Sequence, residues 1–277
     1  MLDLGNSFLA SVERDPDALA IVDGATRLTY AQWYRDISAL VAAFDELGLK
    51  PGDHLVTALQ NRLEAATLHW ACQFAGIVIT PINWRSKSDE VDFYIENAEA
   101  KAIVFEEVSA EAVRKSSAAA PLRRIAIGTA QSGEIAFAAL LERNAPDAAA
   151  RVGAEAWSVM LYTSGTTAKP KGVPRRQRAE RAAALAHVAQ NLYARGERTL
   201  GVMPLYHTMG VRSLLAMALI NGTFVCLRRF APDEALRLIA AELWVYGAPD
   251  GASIRQPTDL GPRYGEGLLD MFDVSGV

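Results

Sequence analysis

The sequence predicts an α/β fold of mostly parallel βαβ sheets covered by helices. Two observations carry this. Short apolar runs of strand character alternate with helical stretches of about ten residues or more, the pattern of βαβ units. Gly, Pro and capping residues punctuate the joins. The 277 residues are 51% apolar and 22% charged, which suffices for a sizeable core and one or two domains.

The first clear helix is 31–47. Trp33, Ile37, Leu40, Val41, Phe44 and Leu47 recur at spacings of three and four and make one apolar stripe. Thr29 with Gln32 fits a capping box, and Gly48 fits the stop. A strand follows at 54–59, a helix at 62–75 stopped by Gly76, and a strand at 77–82. Stretch 65–84 carries no formal charge over 20 residues, about the length a bilayer requires. It also holds His69, Gln73, Gly76, Pro81 and Asn83, so it reads as buried helix, turn and buried strand. Ser88 caps a helix over 89–97, and 102–105 is a strand. A helix at 110–119, a strand at 124–127 and a helical piece at 137–143 come next. The Ala/Pro-rich stretch 145–153 is the best internal boundary. It separates a first α/β subdomain, 1–150, from a second, 151–242.

The second part opens with strand 157–162, a Gly/Thr/Ser turn and a long Ala-rich helix over 176–195. Strand 199–205, helix 211–220, strand 224–227 and a helix over 233–242 with Pro232 in its first turn complete it. After Glu242 the character changes. Six Gly and three Pro fall among the last 35 residues, with neither helical stripe nor alternation. That tail, 243–277, reads as loop, disorder or frameshifted sequence.

Net charge is −4, so no global basic field draws the chain to nucleic acid. Cys72 and Cys226 lie far apart in apolar surroundings and read as reduced core residues of a cytoplasmic protein. The start, MLDLGNSFLASVERDPD, has no basic region and carries Asp3, unlike a secretory signal. His54, His69 and His187 have no spacing that suggests metal ligation. Residues 169–181 hold six bases and one acid, which reads as a solvated helix start beside an anion site.

The strongest chemical signal is the run from Tyr162 to Val173, YTSGTTAKPKGV. A strand delivers Thr163, Ser164, Gly165, Thr166 and Thr167 to a turn, and Lys171 follows. Hydroxyls, backbone N–H groups and ammonium charges converge there on one anion, and polyphosphate is the natural guest. It is not a Walker A loop, because Pro170 stands where Gly is needed and Gly172 follows Lys171. No GxGxxG follows a strand either.

This run resembles the phosphate loop of the AMP-forming adenylating superfamily, the acyl- and aryl-CoA synthetases and their adenylation-domain and luciferase relatives. One position departs: Ala168 stands where the family carries Gly, which stiffens the loop. Segments 28–32, 47–53, 204–210 and 229–239 are similar to family segments in the same order. The resemblance implies the large N-terminal domain of such a ligase. It implies that Thr163, Ser164, Gly165, Thr166, Thr167 and Lys171 cradle ATP. His207, in PLYHTMG, would face the acyl group, and Lys171 with His207 would carry the catalysis. The implied substrates are a carboxylate, ATP and CoA, with Mg²⁺, and a small aromatic or heteroaromatic acid suits 202–213. No membrane or nucleic-acid partner is implied, and the resemblance says nothing of oligomeric state. The family's later Mg²⁺ and ribose motifs and its small C-terminal domain have no counterpart here. Tyr246 to Asp250 has Pro249 and Asp250 where Thr and Glu would stand. The chain therefore reads as truncated. The alternatives are a carrier-protein-loading adenylation module and an inactive nucleotide-binding fragment.

Overall fold

The computed structural model describes residues 3–163 and 170–243. Ser164, Gly165, Thr166 and Thr167, and the tail after Leu243, lie outside the described residues. Helix α1 (Leu4–Arg14) opens the chain, with Asp3 capping it through the Asn6 N–H at 2.8 Å. Strands β1 (Leu19–Asp23) and β2 (Thr26–Thr29) form a hairpin. Helix α2 (Tyr30–Glu46) starts on the predicted capping box, with Thr29 and Gln32 satisfying one another's backbone.

Four βα repeats follow: β3 (His54–Ala58) and α3 (Leu63–Ala75), β4 (Val78–Pro81) and α4 (Ser88–Ala98), β5 (Ala102–Glu106) and α5 (Glu107–Lys115), then β6 (Arg123–Ile127), β7 (Ile135–Ala136) and α6 (Phe137–Leu141). Stretch 65–84 is the predicted helix, turn and strand, with Gly76 at φ +75° ending α3. Among the described residues no helix is long and apolar enough to cross a membrane. Ser88 is the first residue of α4 rather than its cap. Lys87 stands at the N-cap instead, and the Glu90 carboxylate accepts its backbone N–H at 2.8 Å.

Strand β8 (Trp157–Thr163) returns through β9 (Lys171–Arg176), then α7 (Gln177–Asn191), β10 (Arg198–Gly201), α8 (Thr208–Leu219), β11 (Thr223–Cys226) and α9 (Pro232–Leu238). A π-helical turn (Ile239–Leu243) ends the described chain. The predicted helix 233–242 is helical throughout, α to Leu238 and π from Ile239, and Glu242 at its end pairs with Arg27 at 2.7 Å and Arg198 at 3.3 Å.

Two sheets result. The larger runs β7-β6-β5-β3-β4-β8-β9 and the smaller β10-β11-β1-β2. Pairing is parallel except at β1/β2 and β8/β9, in keeping with the mostly parallel α/β fold predicted. The predicted boundary near 150 does not separate the sheets. Strands β8 and β9 join the large sheet, while β1 and β2 join the small one. Sheet pairing crosses the boundary because parallel strands need neighbours, not sequence proximity.

The main core fills the space between the sheets. Phe8 of α1 sits at its centre, 4.8 Å from the Trp70 ring, 5.5 Å from Trp33 and 5.7 Å from Tyr30. Burying an aromatic ring of this kind contributes about 2–3 kcal/mol, so α1 is a central element of the core.

Candidate functional site

Strand β8 is buried from Ser158 to Leu161 and surfaces at Thr163. In the antiparallel pair Thr163 faces Lys171, so these two residues flank the hydroxyl-rich segment between them in the sequence. Both are exposed, and among the described residues no acid pairs with Lys171. The sequence predicts a loop leading straight into a helix. The structure shows a six-residue edge strand first, where Pro174 is tolerated because it lies at the sheet margin.

The base of this hairpin is fixed. The Tyr162 ring lies 4.6 Å from that of Tyr94, and its hydroxyl donates to Asn97 Oδ1 at 2.8 Å. Burial pushes the Tyr162 phenol up to about 12. Opposite Tyr162 stands Gly172. A Cβ there would meet Met160 Sδ at 2.9 Å and Tyr162 ring carbons at 3.3 Å, so glycine lets β9 close onto the ring.

His207 lies after β10. Its N–H donates to Pro204 O at 2.9 Å, and it stands immediately before α8 as the N-cap residue. The side chain makes no cap bond; it is exposed, 4.5 Å from the Tyr206 ring. Gly210 lets the first turn of α8 lie on the preceding segment, for a Cβ there would fall on Pro204 O and 2.6 Å from Met203 O.

Asn61, which the sequence reading did not single out, joins the two sheets. It lies in the loop after β3 and is 3% exposed. Its Nδ2 donates to Gly201 O and Met203 O, both at 2.8 Å, and its Oδ1 accepts the Leu205 N–H at 2.9 Å. Because β8 runs parallel to β4, the hairpin leaves at the carboxyl edge of the large sheet. Asn61 brings the carboxyl edge of the small sheet to that same edge. Ligands of open α/β sheets bind at such a place.

A cleft of about 160 Å³ opens there, lined by Asn61, Trp84, Arg85, Pro204, Arg229 and Phe230 among others. Arg85 lies over the Trp84 ring at 3.8 Å. Arg228 is spoken for by Asp23 at 3.2 Å, while neither Arg85 nor Arg229 is ion-paired among the described residues. A larger cavity of about 500 Å³ lies at the opposite end of β10 and β11. There Arg195 pairs with Asp15 and Arg198 with Glu242, so its bases are already matched.

The basic run after the hairpin is largely used internally. Arg175 pairs with Glu180, Arg178 with Glu155, Arg176 stacks on Trp157, and Arg181 donates to Ser7. Cys72 and Cys226 are free, buried thiols that burial pushes up, hence inert. Among the described residues no group of three or more His, Cys, Asp or Glu could hold a metal ion.

The sequence matches the family model described as AMP-binding enzyme over residues 8–245. It is 28% identical over 239 residues to a 2-succinylbenzoate–CoA ligase of Bacillus licheniformis, covering 86% of this chain and 48% of that protein. It is 27% identical over 259 residues to a feruloyl-CoA synthase of Amycolatopsis sp, covering 89% and 48%. The chain thus spans about half the length of the curated relatives it matches. The fold matches the inhibitor-bound N-terminal domain of FACL13 from Mycobacterium tuberculosis with a TM-score of 0.79 at 24% identity, covering 87% of this chain and 61% of that one. A luciferase-like enzyme from the mealworm Zophobas morio matches with a TM-score of 0.79 at 17% identity, covering 88% and 59%. With this model matching most of its length, this chain belongs to the AMP-binding enzyme family.

Proposed function

We propose that the chain supplies the ATP-phosphate and acyl-facing part of an AMP-forming carboxylate–CoA ligase. In that reaction a carboxylate oxygen attacks the α-phosphorus of ATP and pyrophosphate leaves. The CoA thiol sulfur then attacks the acyl carbon, AMP leaves and the thiol proton goes to solvent. The observation that carries this reading is the hairpin closed by Thr163 and Lys171, at the sheet edge that Asn61 ties to the His207 segment.

Each part of the chain has a task. Thr163, Ser164, Gly165, Thr166, Thr167 and Lys171 hold the phosphates, with Lys171 opposing the negative charge that builds there. His207 orients the acyl carboxylate. Arg85 and Arg229 add positive charge at a cleft that polyanionic substrates approach. Mg²⁺ enters as the counter-ion of ATP, and no step is assigned to it. A small aromatic acid fits Trp84 and Phe230 of the cleft, and relatives named for feruloyl, 4-chlorobenzoate and 2-succinylbenzoate substrates support this class. The buried unpaired thiols suit a reducing, cytoplasmic setting.

A second reading, transfer to a carrier protein, draws on a relative named as a fatty acid–[acyl-carrier-protein] ligase from Streptomyces coeruleorubidus. Offering CoA or a phosphopantetheinyl carrier as acyl acceptor separates the two. The test of the main reading is tryptic cleavage after Lys171. ATP with Mg²⁺ is expected to slow it several-fold, while the isolated chain forms thioester slowly or not at all. Cleavage at an unchanged rate contradicts nucleotide binding at the hairpin. Robust thioester formation contradicts the assignment of only part of the apparatus to these residues.

A further inference from the structure

A buried carboxylate sits where β9, α7 and α8 meet. Glu180, in the first turn of α7, is 1% exposed. Its Oε1 lies 3.1 Å from Arg175 Nη1, on β9. The same Nη1 lies 3.4 Å from Thr208 Oγ1, the first residue of α8. Glu180 Oε2 is buried with no hydrogen-bond partner among the described residues, and so is Arg212 Nε of α8. Burial raises the Glu180 carboxyl, and Arg175 and Arg212 oppose that rise. One acid is therefore faced by two guanidiniums, one on the strand that follows the hairpin and one on the helix that follows His207.

Stability alone does not account for this group. A buried ion pair contributes little net stability, and a well-packed apolar residue would serve the α7–α8 contact as well. The geometry offers a different task. Arg175 stands four residues beyond Lys171 on β9, and Thr208 follows His207 directly. Arg175 thus bridges the strand that carries Lys171 and the helix end that carries His207. Glu180 holds that bridge by fixing the guanidinium from below.

We propose that Glu180 is a positioning residue: it locks Arg175 between β9 and the start of α8, and so sets the Lys171 hairpin against the His207 end of that helix. The functional meaning of this coupling rests on the reading that the hairpin holds ATP and His207 faces the acyl group. The coupling itself does not, and the test separates them.

The test is amide hydrogen exchange of the whole chain, comparing wild type with Glu180→Gln, Arg175→Gln, Thr208→Val and Thr208→Ser. Glu180→Gln is expected to speed exchange about tenfold in 171–176 and in 208–211 together, leaving β5 and α4 unchanged. Arg175→Gln, at a partly exposed site, is expected to speed 208–211 likewise, and it decides the matter should Glu180→Gln not fold. Thr208→Val is expected to speed both segments, while Thr208→Ser, which keeps the hydroxyl, exchanges like wild type. Unchanged exchange at 208–211 in Glu180→Gln or Arg175→Gln overturns the inference, whether or not the chain binds ATP. ATP titration of the same proteins supplies the second readout. Loss of wild-type binding strikes the functional reading alone. Wild-type affinity in Glu180→Gln removes the positioning role even if the exchange coupling is found.

Discussion

Gly210 and Gly172 show how differently two glycines can be constrained. Beside Gly210 the obstacle is backbone, the carbonyls of Met203 and Pro204, which cannot step aside. Beside Gly172 the nearest atom is the sulfur of an unbranched, flexible Met160 side chain. Gly210→Ala is therefore expected to cost about 2–3 kcal/mol, as overpacking does, with Gly172→Ala costing less. Urea midpoints of the two variants check this ordering. His69 provides a residue-scale test in pH. Its ring is fully buried, Nε2 has no partner among the described residues, and burial lowers its pKa from 6.5 to about 4. The folded state favours the neutral ring, so the unfolded chain takes up the proton first as pH falls. Stability from this group is intact above about 6.5 and is lost progressively toward 4, by about 3 kcal/mol in all. His69→Gln removes that slope, and denaturation of both proteins at pH 7, 5.5 and 4 measures it.

Among the elements, those with a long apolar stripe were readable in advance. Helix α2 has such a stripe and a capping box, and its predicted ends agree to one residue. Helix α1 escaped notice because its buried face alternates Leu4 and Phe8 with Gly5, Ser7 and Ser11, which carry no hydrophobic signal. Strand β9 escaped because its polar, Pro-containing sequence makes sense only as the edge partner of β8. The candidate site divides in the same way. Thr163, Lys171 and His207 stand in local motifs, while Asn61, Arg85 and Arg229 are single residues whose meeting depends on which loops the two sheets bring together. Asn61 also carries the element-scale prediction. Its three bonds tie the loop after β3 to the segment before His207. Asn61→Ala is expected to lose about 3 kcal/mol, at about 1 kcal/mol per bond. Thermal unfolding measures the loss, and hydrogen exchange is expected to rise first in 201–207.

For the molecule as a whole, sequence pattern gave the class of fold but not the assignment of strands to sheets. The alternation of helices and strands says that parallel sheets form. It does not say that β1 pairs with β11 across some 200 residues, because that choice is made by the packing of α1, α2 and α3 between the sheets. The resulting arrangement puts the hairpin, the His207 segment and the arginine-lined cleft at one edge and leaves the opposite cavity charge-matched. Its central claim is that this edge binds ATP through the hairpin. Calorimetric titration of the chain with ATP, with and without Mg²⁺, tests it most directly. The expected result is saturable one-to-one binding that Lys171→Ala weakens about tenfold or more, the worth of one charge-assisted contact. No saturable heat, or equal binding by Lys171→Ala, would contradict it.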